Sequence, residues 1–419
     1  MFCDLITIAM TLRTDDMRPT LGYYGDPVVK SPNIDNLASK SNVFLKAYAR
    51  VGLQVHAGIY TTLPQYFKTK GKYPSIASNH SDDYPYSWSV PPYHPPSFKY
   101  EDRKVCKDID GQLHVNLLCS VNVSETPLGT LPDMESTEAV RLLKSTRDSD
   151  KHLFLAVGFH KPHIPSRIPQ VPHLQLPLFS DTEFLTVMTY NPWTDIRKRE
   201  DVQALNVSFP YEPIPQEFQL QIRQHYYASV TYLDSQVGRL SNTLDDLGLA
   251  EDNIVIFTSN HGWSLGLVQE RFVLYYVTLL FPVLLMGCDY LTLTGGLVRN
   301  VNELLDVFPT VSYLAGLKPP HPCPDNSFDV ELCTLGRQPG LLFQAPRRQQ
   351  GLVGHRLQPV PLACRHLPTD LVVHAVELYL MERDPGQDHN LYNGPSLAEH
   401  PYLKHHLYIT AEIKSDALF

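Results

Sequence analysis

Three short apolar runs stand out in the chain, each followed by polar residues able to bind a cation or move a proton. The runs cover residues 5–12, 153–157 and 254–257. Such lengths predict buried strands and are too short for a helix that spans a membrane. The polar residues that follow them are Asp15 and Asp16, His160 and His163, and Asn260 and His261.

Helical patterns lie between these runs. The clearest is residues 216–247, where apolar residues recur every three or four positions. A helix capped by Ser31 is expected to carry its apolar face as far as Phe44, and residues 301–314 predict another. Residues 272–286 contain no charge and predict a central strand with flanking turns.

Strands that alternate with helices predict an α/β fold with a mostly parallel or mixed central sheet and helices on both faces. We expect residues 1–317 to form this domain, with long proline-rich loops at 75–100 and 165–215. Residues 318–419 are expected to form a smaller, shortened C-terminal α+β subdomain.

The composition describes a globular protein, since 43% of the 419 residues are hydrophobic and 19% are charged. The formal net charge of -9 argues against nucleic acid as a partner. The 18 histidines would largely protonate near pH 5 and reverse that balance. An anionic substrate would then meet a positive surface.

Four of the seven cysteines form two closely spaced pairs. Cys106 and Cys119 flank one short segment, and Cys323 and Cys333 flank another. Neither pair has a metal-binding spacing, so both predict small-loop disulfides and an oxidising compartment.

Glycosylation sequons point to the same route through the cell. They occur at Asn79, Asn122 and Asn206. Residues 1–10, however, have neither a basic start nor a small-residue cleavage site, so no signal peptide is recognisable. We therefore expect the true beginning of the protein to be missing from this sequence.

The adjacent carboxylates Asp15 and Asp16 predict a hard cation, because a metal neutralises like charges held side by side. The alternative is a solvated turn or a helix N-cap. Asn260, after a second strand, favours the metal because ligands collect beyond the carboxyl ends of strands. For His160 and His163, the alternative is a pair of structural loop histidines.

With these residues assembled, the chain resembles the sulfatases of the alkaline-phosphatase-like superfamily. Residues 15–22, 31–38, 158–165 and 257–262 resemble the metal and active-site segments of that family. Further similar segments are residues 79–88, 191–193, 227–238, 323–333 and 384–392.

The resemblance implies a lysosomal enzyme of glycosaminoglycan degradation that removes 2-sulfate esters from terminal iduronate of heparan or dermatan sulfate. It implies one calcium ion, held here by Asp15, Asp16, Asn260 and His261. It also implies that active-site histidines such as His160 and His163 stabilise the sulfate oxygens or protonate the leaving group. No membrane span is expected.

The chain departs from the family at the nucleophile. The family uses a cysteine in a Cys-x-Pro-Ser-Arg motif, oxidised to formylglycine, and no such motif occurs here. In the family this motif lies at the position between Ala49 and Val55 of this chain. Arg50 is at most a remnant of the arginine of the motif. The family's catalytic lysine also has no counterpart, because no Lys occurs in residues 263–280. Lys72 is a poor substitute beside another gap.

These departures predict an inactive chain with weakened calcium binding, since Asn260 stands where the family has a carboxylate. The missing residues form blocks, which favours skipped exons or a faulty gene model. One alternative is a non-catalytic glycan-binding protein. Another is a superfamily phosphatase or phosphodiesterase, which would need a Ser or Thr nucleophile near Asp15 and Asp16.

Overall fold

A seven-stranded sheet forms the centre of the protein, represented here by a computed structural model. The structure describes residues 8–48, 61–77, 83–108, 110–116, 118–135, 138–146, 152–170, 200–204, 216–249, 253–260, 262, 283–286, 296–324, 332–334 and 336. The strands are β1 Ile8–Asp15, β2 Asn42–Tyr48, β3 Tyr73–Ala77, β4 Cys106–Lys107, β5 Leu113–His114, β6 Leu118–Val121, β7 Leu153–Pro162, β8 Ser166–Pro169, β9 Asn253–Ser259, β10 Val283–Met286 and β11 Leu297–Glu303.

The central sheet has the order β11-β2-β10-β9-β1-β7-β3. Every neighbouring pair is parallel except those of β10, which runs antiparallel to both β9 and β2. The expected mixed, mostly parallel sheet is confirmed. Two small two-stranded sheets, β4-β5 and β6-β8, lie outside it.

Helices cover both faces of the sheet. They are α1 Pro32–Ser39, α2 Leu63–Thr69, α3 Pro132–Glu135, α4 Glu138–Thr146, α5 Glu200–Gln203, α6 Gln216–Asp246 and α7 Val307–Leu314, with 3-10 turns at Gly22–Tyr24, Phe98–Tyr100, Val123–Glu125 and Leu304–Asp306. The long helix α6 confirms the clearest helical pattern of the sequence.

The alternation of side chains in β1 sends apolar groups into two separate cores. Ile8, Met10 and Leu12 join the core under α1, α4 and α6. Ala9 joins the opposite core, under α2 and α7. A strand with both faces covered in this way reads as a continuous apolar run, which is the pattern that the sequence shows.

Several predicted boundaries are wrong. Helix α1 ends at Ser39, and Phe44 lies in β2, because it pairs there with Val298 of β11. The predicted helix over residues 301–314 begins only at Val307, after β11 and a 3-10 turn.

The predicted loops also contain short regular elements. The loop at 75–100 starts inside β3, and the loop at 165–215 contains β8 and α5. Strand β3 forms by pairing with β7, and β8 forms by pairing with β6. Tertiary pairing of this kind leaves little trace in the local sequence.

Both expected disulfides are present, joining Cys106 to Cys119 and Cys323 to Cys333. The first ties β4 to β6. Among the described residues, no helix combines the length and apolar character that crossing a membrane requires. Most of the predicted C-terminal subdomain lies outside the described residues.

Candidate metal and active site

The carboxyl ends of three adjacent strands bring the candidate residues together. Strand β1 lies between β9 and β7 and runs parallel to both. Asp15 ends β1, His160 lies near the end of β7, and Asn260 directly follows β9. Asp15, His160 and Asn260 therefore meet at this edge of the sheet.

The backbone at Asp16 turns sharply, with φ at +64°, in the left-handed region that residues other than glycine rarely adopt. Tyr226 of α6 holds this turn with its buried hydroxyl. The hydroxyl donates to the Asp16 carbonyl (2.8 Å) and accepts from the Arg18 N–H (3.0 Å). Such a conformation persists only where surrounding contacts enforce it.

The side-chain amide of Asn260 connects β9 to both carboxylate residues. Its Oδ1 accepts from the Asp16 backbone N–H (3.0 Å), and its Nδ2 donates to Asp15 Oδ1. The two partners fix the orientation of the amide, because an N–H needs an acceptor and a carboxylate needs a donor. The amide of Asn260 therefore gives Asp15 a hydrogen-bond donor. A carboxylate at position 260 would instead repel Asp15 unless a cation lay between the two groups.

The chain after β9 passes very close to the turn at Asp16. A Cβ at Gly262 would lie 2.7 Å from Cα of Arg18, closer than real Cβ contacts come. A glycine is therefore required at this crossing. His261, the fourth predicted metal ligand, lies outside the described residues.

The two histidines are oriented by one backbone carbonyl. Ile164 O accepts from His160 Nε2 (2.9 Å) and from His163 Nδ1 (2.5 Å). These bonds place the ring hydrogens on those nitrogens, so in the neutral rings His160 Nδ1 and His163 Nε2 carry the lone pairs. His163 Nε2 lies 3.7 Å from Asp16 Oδ2.

Asp133, which no sequence pattern indicated as a site residue, holds the end of β7. Its buried carboxylate accepts from the backbone N–H groups of His160 (2.7 Å) and Lys161 (3.1 Å). Burial raises the pKa of Asp133, and the nearby Lys161 charge opposes that rise. An acidic residue at the start of a short helix carries no sequence signal for this role.

Tyr226 was also missed as a site residue, because its place in the apolar stripe of α6 predicts a core residue. It is in the core, fully buried, and burial raises its pKa. Its hydroxyl nevertheless holds the Asp16 turn. Nothing in the local sequence distinguishes this tyrosine from its neighbours.

Lys72 does not reach the site. It precedes β3, whose first residue pairs with Leu153 at the opposite end of β7 from His160. Burial lowers the pKa of Lys72. With strands rising about 3.3 Å per residue, the separation is roughly 20 Å or more. Arg50 lies outside the described residues.

Of the three sequons, only Asn122 lies in the described part of the chain, and Asn79 and Asn206 fall outside it. Asn122 is exposed and caps the 3-10 turn Val123–Glu125, accepting from the Ser124 N–H (3.3 Å).

Comparison with known proteins decides the family. The sequence model of the family described as Sulfatase matches residues 53–316, more than half of the chain. The chain belongs to the sulfatase family. It is 40% identical to human iduronate 2-sulfatase, with 90% of each chain covered. It is 38% identical to the mouse iduronate 2-sulfatase, covering 96% of this chain and 93% of that one.

The fold of this sulfatase is similar to that of solved structures, and its chain is shorter than its alignment with a relative. A crystal structure of a phosphonate monoester hydrolase of Agrobacterium radiobacter superposes with a TM-score of 0.60, covering 95% of this chain and 94% of that one. At 18% identity, this likeness shows the alkaline-phosphatase-like fold alone. The alignment with the mouse enzyme spans 519 positions, 100 more than the 419 residues of this chain. At least 100 positions of that alignment therefore have no residue of this chain opposite them.

Sulfatases bind a metal, and this sulfatase has a possible metal site. One ligand atom each from Asp15, His160 and His163 lie within 4.8 Å of one another. Two of these three donors are imidazole nitrogens, whereas calcium takes six to eight oxygens. Asn260 adds a hydrogen bond to Asp15 instead of a charge. The residues described here therefore fit calcium poorly.

Proposed function

We propose that this sulfatase is an iduronate-2-sulfatase-like protein that has kept the framework of the active site and has lost sulfate ester hydrolysis. One observation carries the proposal. The strand ends retain Asp15, Asp16, His160 and His163 in one place, but no Cys-x-Pro-Ser-Arg motif occurs in the chain.

The substrate class follows from the relatives. Identity of 38–40% over nearly the whole chain supports recognition of sulfated iduronate in heparan or dermatan sulfate. The 18 histidines support an anionic ligand at acidic pH, since they add positive charge to a chain of net charge -9. A lysosomal or secretory location is supported by the two disulfides and by the exposed sequon at Asn122.

The expected loss of hydrolysis has a chemical reason. The family reaction passes sulfate to a hydroxyl of the hydrated formylglycine, which splits one difficult displacement into two easier steps. Each histidine donates one ring hydrogen to Ile164 and has one nitrogen left for a proton. Such histidines can move protons, but they do not replace the covalent acceptor.

Calcium binding is proposed to be weak. Affinity of calcium sites rises with the number of charged oxygen ligands. Asn260 supplies no charge and bonds to Asp15 instead, and the nucleophile that would complete the site is absent. Asp15 and Asp16 are the carboxylates that would hold the ion.

The proposal is tested by turnover at pH 5. The 419-residue protein and Asp15→Ala are assayed with an aryl sulfate and with a 2-sulfated iduronate disaccharide. Human iduronate 2-sulfatase, prepared in the same host, is the positive control. We expect no sulfate release above the blank. Release that survives Asp15→Ala would be contamination, whereas release that Asp15→Ala abolishes would overturn the proposal.

A further inference from the structure

We infer that His114 is a pH-dependent attachment point for helix α5. In its protonated form, His114 holds α5 against the disulfide-linked unit of β4, β5 and β6, and loss of the proton loosens this attachment. Asp108, His114 and Glu200 form the contact, which we name the His114 bridge. It contains none of the candidate metal ligands, and it does not depend on hydrolysis of sulfate esters.

Both ring nitrogens of His114 meet a carboxylate. Nε2 lies 2.7 Å from Asp108 Oδ2, and Nδ1 lies 2.7 Å from Glu200 Oε2. A carboxylate only accepts hydrogen bonds, so both nitrogens must carry a hydrogen for both bonds to form. That state is the protonated ring. In a neutral ring one nitrogen presents a lone pair to a negative oxygen, so loss of the proton replaces one attraction with a repulsion.

Each carboxylate of the bridge is fixed by a second partner. Asp108 Oδ1 accepts from the Gln112 backbone N–H (2.7 Å), and Glu200 Oε1 accepts from Lys104 Nζ (2.9 Å). The hydrogen bond from His114 lowers the pKa of Asp108, and the one from Lys104 lowers the pKa of Glu200. Both carboxylates therefore keep their charge at pH 5, and the imidazole is the group of the bridge that titrates.

The other charged groups around the bridge are lysines and carboxylates. On β4, Lys107 directs its ammonium to Glu125 (2.7 Å), beyond the bridge. Asp110, in the turn between β4 and β5, gives a backbone hydrogen bond to Asp108. Of these side-chain types only histidine ordinarily changes its charge between about pH 5 and 8.

The bridge joins parts of the chain that are distant in sequence. Glu200 begins α5 and lies 86 residues from His114. Strand β5 pairs with β4, which the Cys106–Cys119 disulfide ties to β6. Glu200 also accepts from the Val115 backbone N–H (3.2 Å), and this bond needs no proton on a histidine. The bridge therefore changes the strength of an attachment that the backbone also supports.

The pH dependence has a definite sign. The bonds to Asp108 and then Glu200 raise the pKa of His114. The attachment is therefore at full strength below the ordinary value of 6.5 and weakens as the pH rises through the higher folded value. In the acidic compartment that the proposed function gives this chain, the bridge would be fully formed.

Hydrogen exchange of the full-length protein, followed by mass spectrometry, tests the inference. Peptides covering residues 108–116 and 200–204 are compared at pH 5.5 and pH 8.5, after correction for the intrinsic effect of pH on exchange. We expect about two- to fivefold more protection at pH 5.5, the range that exposed charge pairs give. The midpoint of this change is expected to match the titration of the His114 ring, measured by NMR of histidine-labelled protein.

Variants assign the effect to the bridge. His114→Gln keeps one donor but gains no proton, so we expect low protection of α5 at both pH values. Lys104→Gln removes the pair with Glu200 and leaves the ring, so protection falls at both pH values and the pH difference remains. Exposed His94→Gln is the matched histidine control and is expected to change neither. Glu200→Gln is a second variant of the bridge, expected to remove most of the pH difference at α5. Circular dichroism and intact disulfides confirm folding of each variant.

Three results would overturn the inference. They are equal protection of residues 200–204 at the two pH values in the native protein, a pH difference that survives His114→Gln, and a pH difference that His94→Gln abolishes. Sulfate release is not measured in these experiments. Failure of the bridge is therefore distinguishable from failure of the proposed function.

Discussion

The Tyr226 hydroxyl is expected to hold the Asp16 turn, and Tyr226→Phe tests this with the smallest change of shape. The substitution removes one oxygen that bonds to the Asp16 carbonyl (2.8 Å) and to the Arg18 N–H (3.0 Å). Tyr226 is fully buried, so water is not at hand to replace the lost partner.

The magnitude follows from the two groups left behind. A buried donor or acceptor without a partner costs about 1–3 kcal/mol, so two of them cost about 2–4 kcal/mol once partial relaxation is allowed. That is a large part of the roughly 5–15 kcal/mol by which a domain is stable. Urea unfolding followed by circular dichroism measures the loss.

Hydrogen exchange gives the local readout. The Arg18 amide loses its acceptor in Tyr226→Phe, so peptides covering residues 14–20 are expected to exchange faster. Tyr232→Phe is the matched control on the same helix. Tyr232 is also buried, but its hydroxyl has no partner at hydrogen-bond geometry. We expect the control to cost about 0–1 kcal/mol.

The reasoning would be refuted if Tyr226→Phe cost no more than Tyr232→Phe. It would also be refuted if exchange of residues 14–20 did not change. Either result would mean that Asp16 keeps its left-handed conformation without the tyrosine.

Two further predictions concern charge. Asn260→Asp is expected to tighten calcium binding at least about 10-fold, because a carboxylate replaces the donor to Asp15; isothermal titration in which a folded variant gains nothing would contradict this. His114 bonds through both ring nitrogens, to Asp108 and Glu200 (2.7 Å each), and these bonds raise its pKa. The stabilisation is therefore fully present below the ordinary pKa of 6.5 and is lost as pH rises through the higher folded value. The melting temperature of His114→Gln should fall below that of the native protein near pH 5–6 and approach it at alkaline pH. A difference in melting temperature that grows with pH would contradict a stabilising role for the bonds of His114 to Asp108 and Glu200.

Much of the fold was predictable because its main elements have strong local patterns. The stripe of α6 and the apolar run of β1 identify a helix and a strand, and parallel strands bring their carboxyl ends to one edge. These patterns place Asp15, His160 and Asn260 at the ends of strands, which is where the structure has them. The cysteine spacings also predicted both disulfides.

The parts that sequence did not predict depend on contacts between distant residues. Phe44 continues the apolar pattern of α1 but pairs as part of β2, because the neighbouring strand β11 offers partners. Asp133 and Tyr226 look like a turn acid and a core aromatic, and only the packing gives them partners at the site. Because Asn260 stands where the family has a carboxylate, the sequence predicted that the metal site lacks one negative charge. It did not predict that the Asn260 amide donates a hydrogen bond to Asp15.

The central claim is that the chain contains no covalent acceptor for sulfate, and an aldehyde probe tests it most directly. The protein is expressed in a secretory host that converts sulfatase cysteines to formylglycine, with human iduronate 2-sulfatase as the positive control. Both are treated with a hydrazide and mapped by peptide mass spectrometry. We predict labelling of the control alone, because none of the seven cysteines lies in a Cys-x-Pro-Ser-Arg motif. A hydrazide-labelled cysteine position in this chain would contradict the claim.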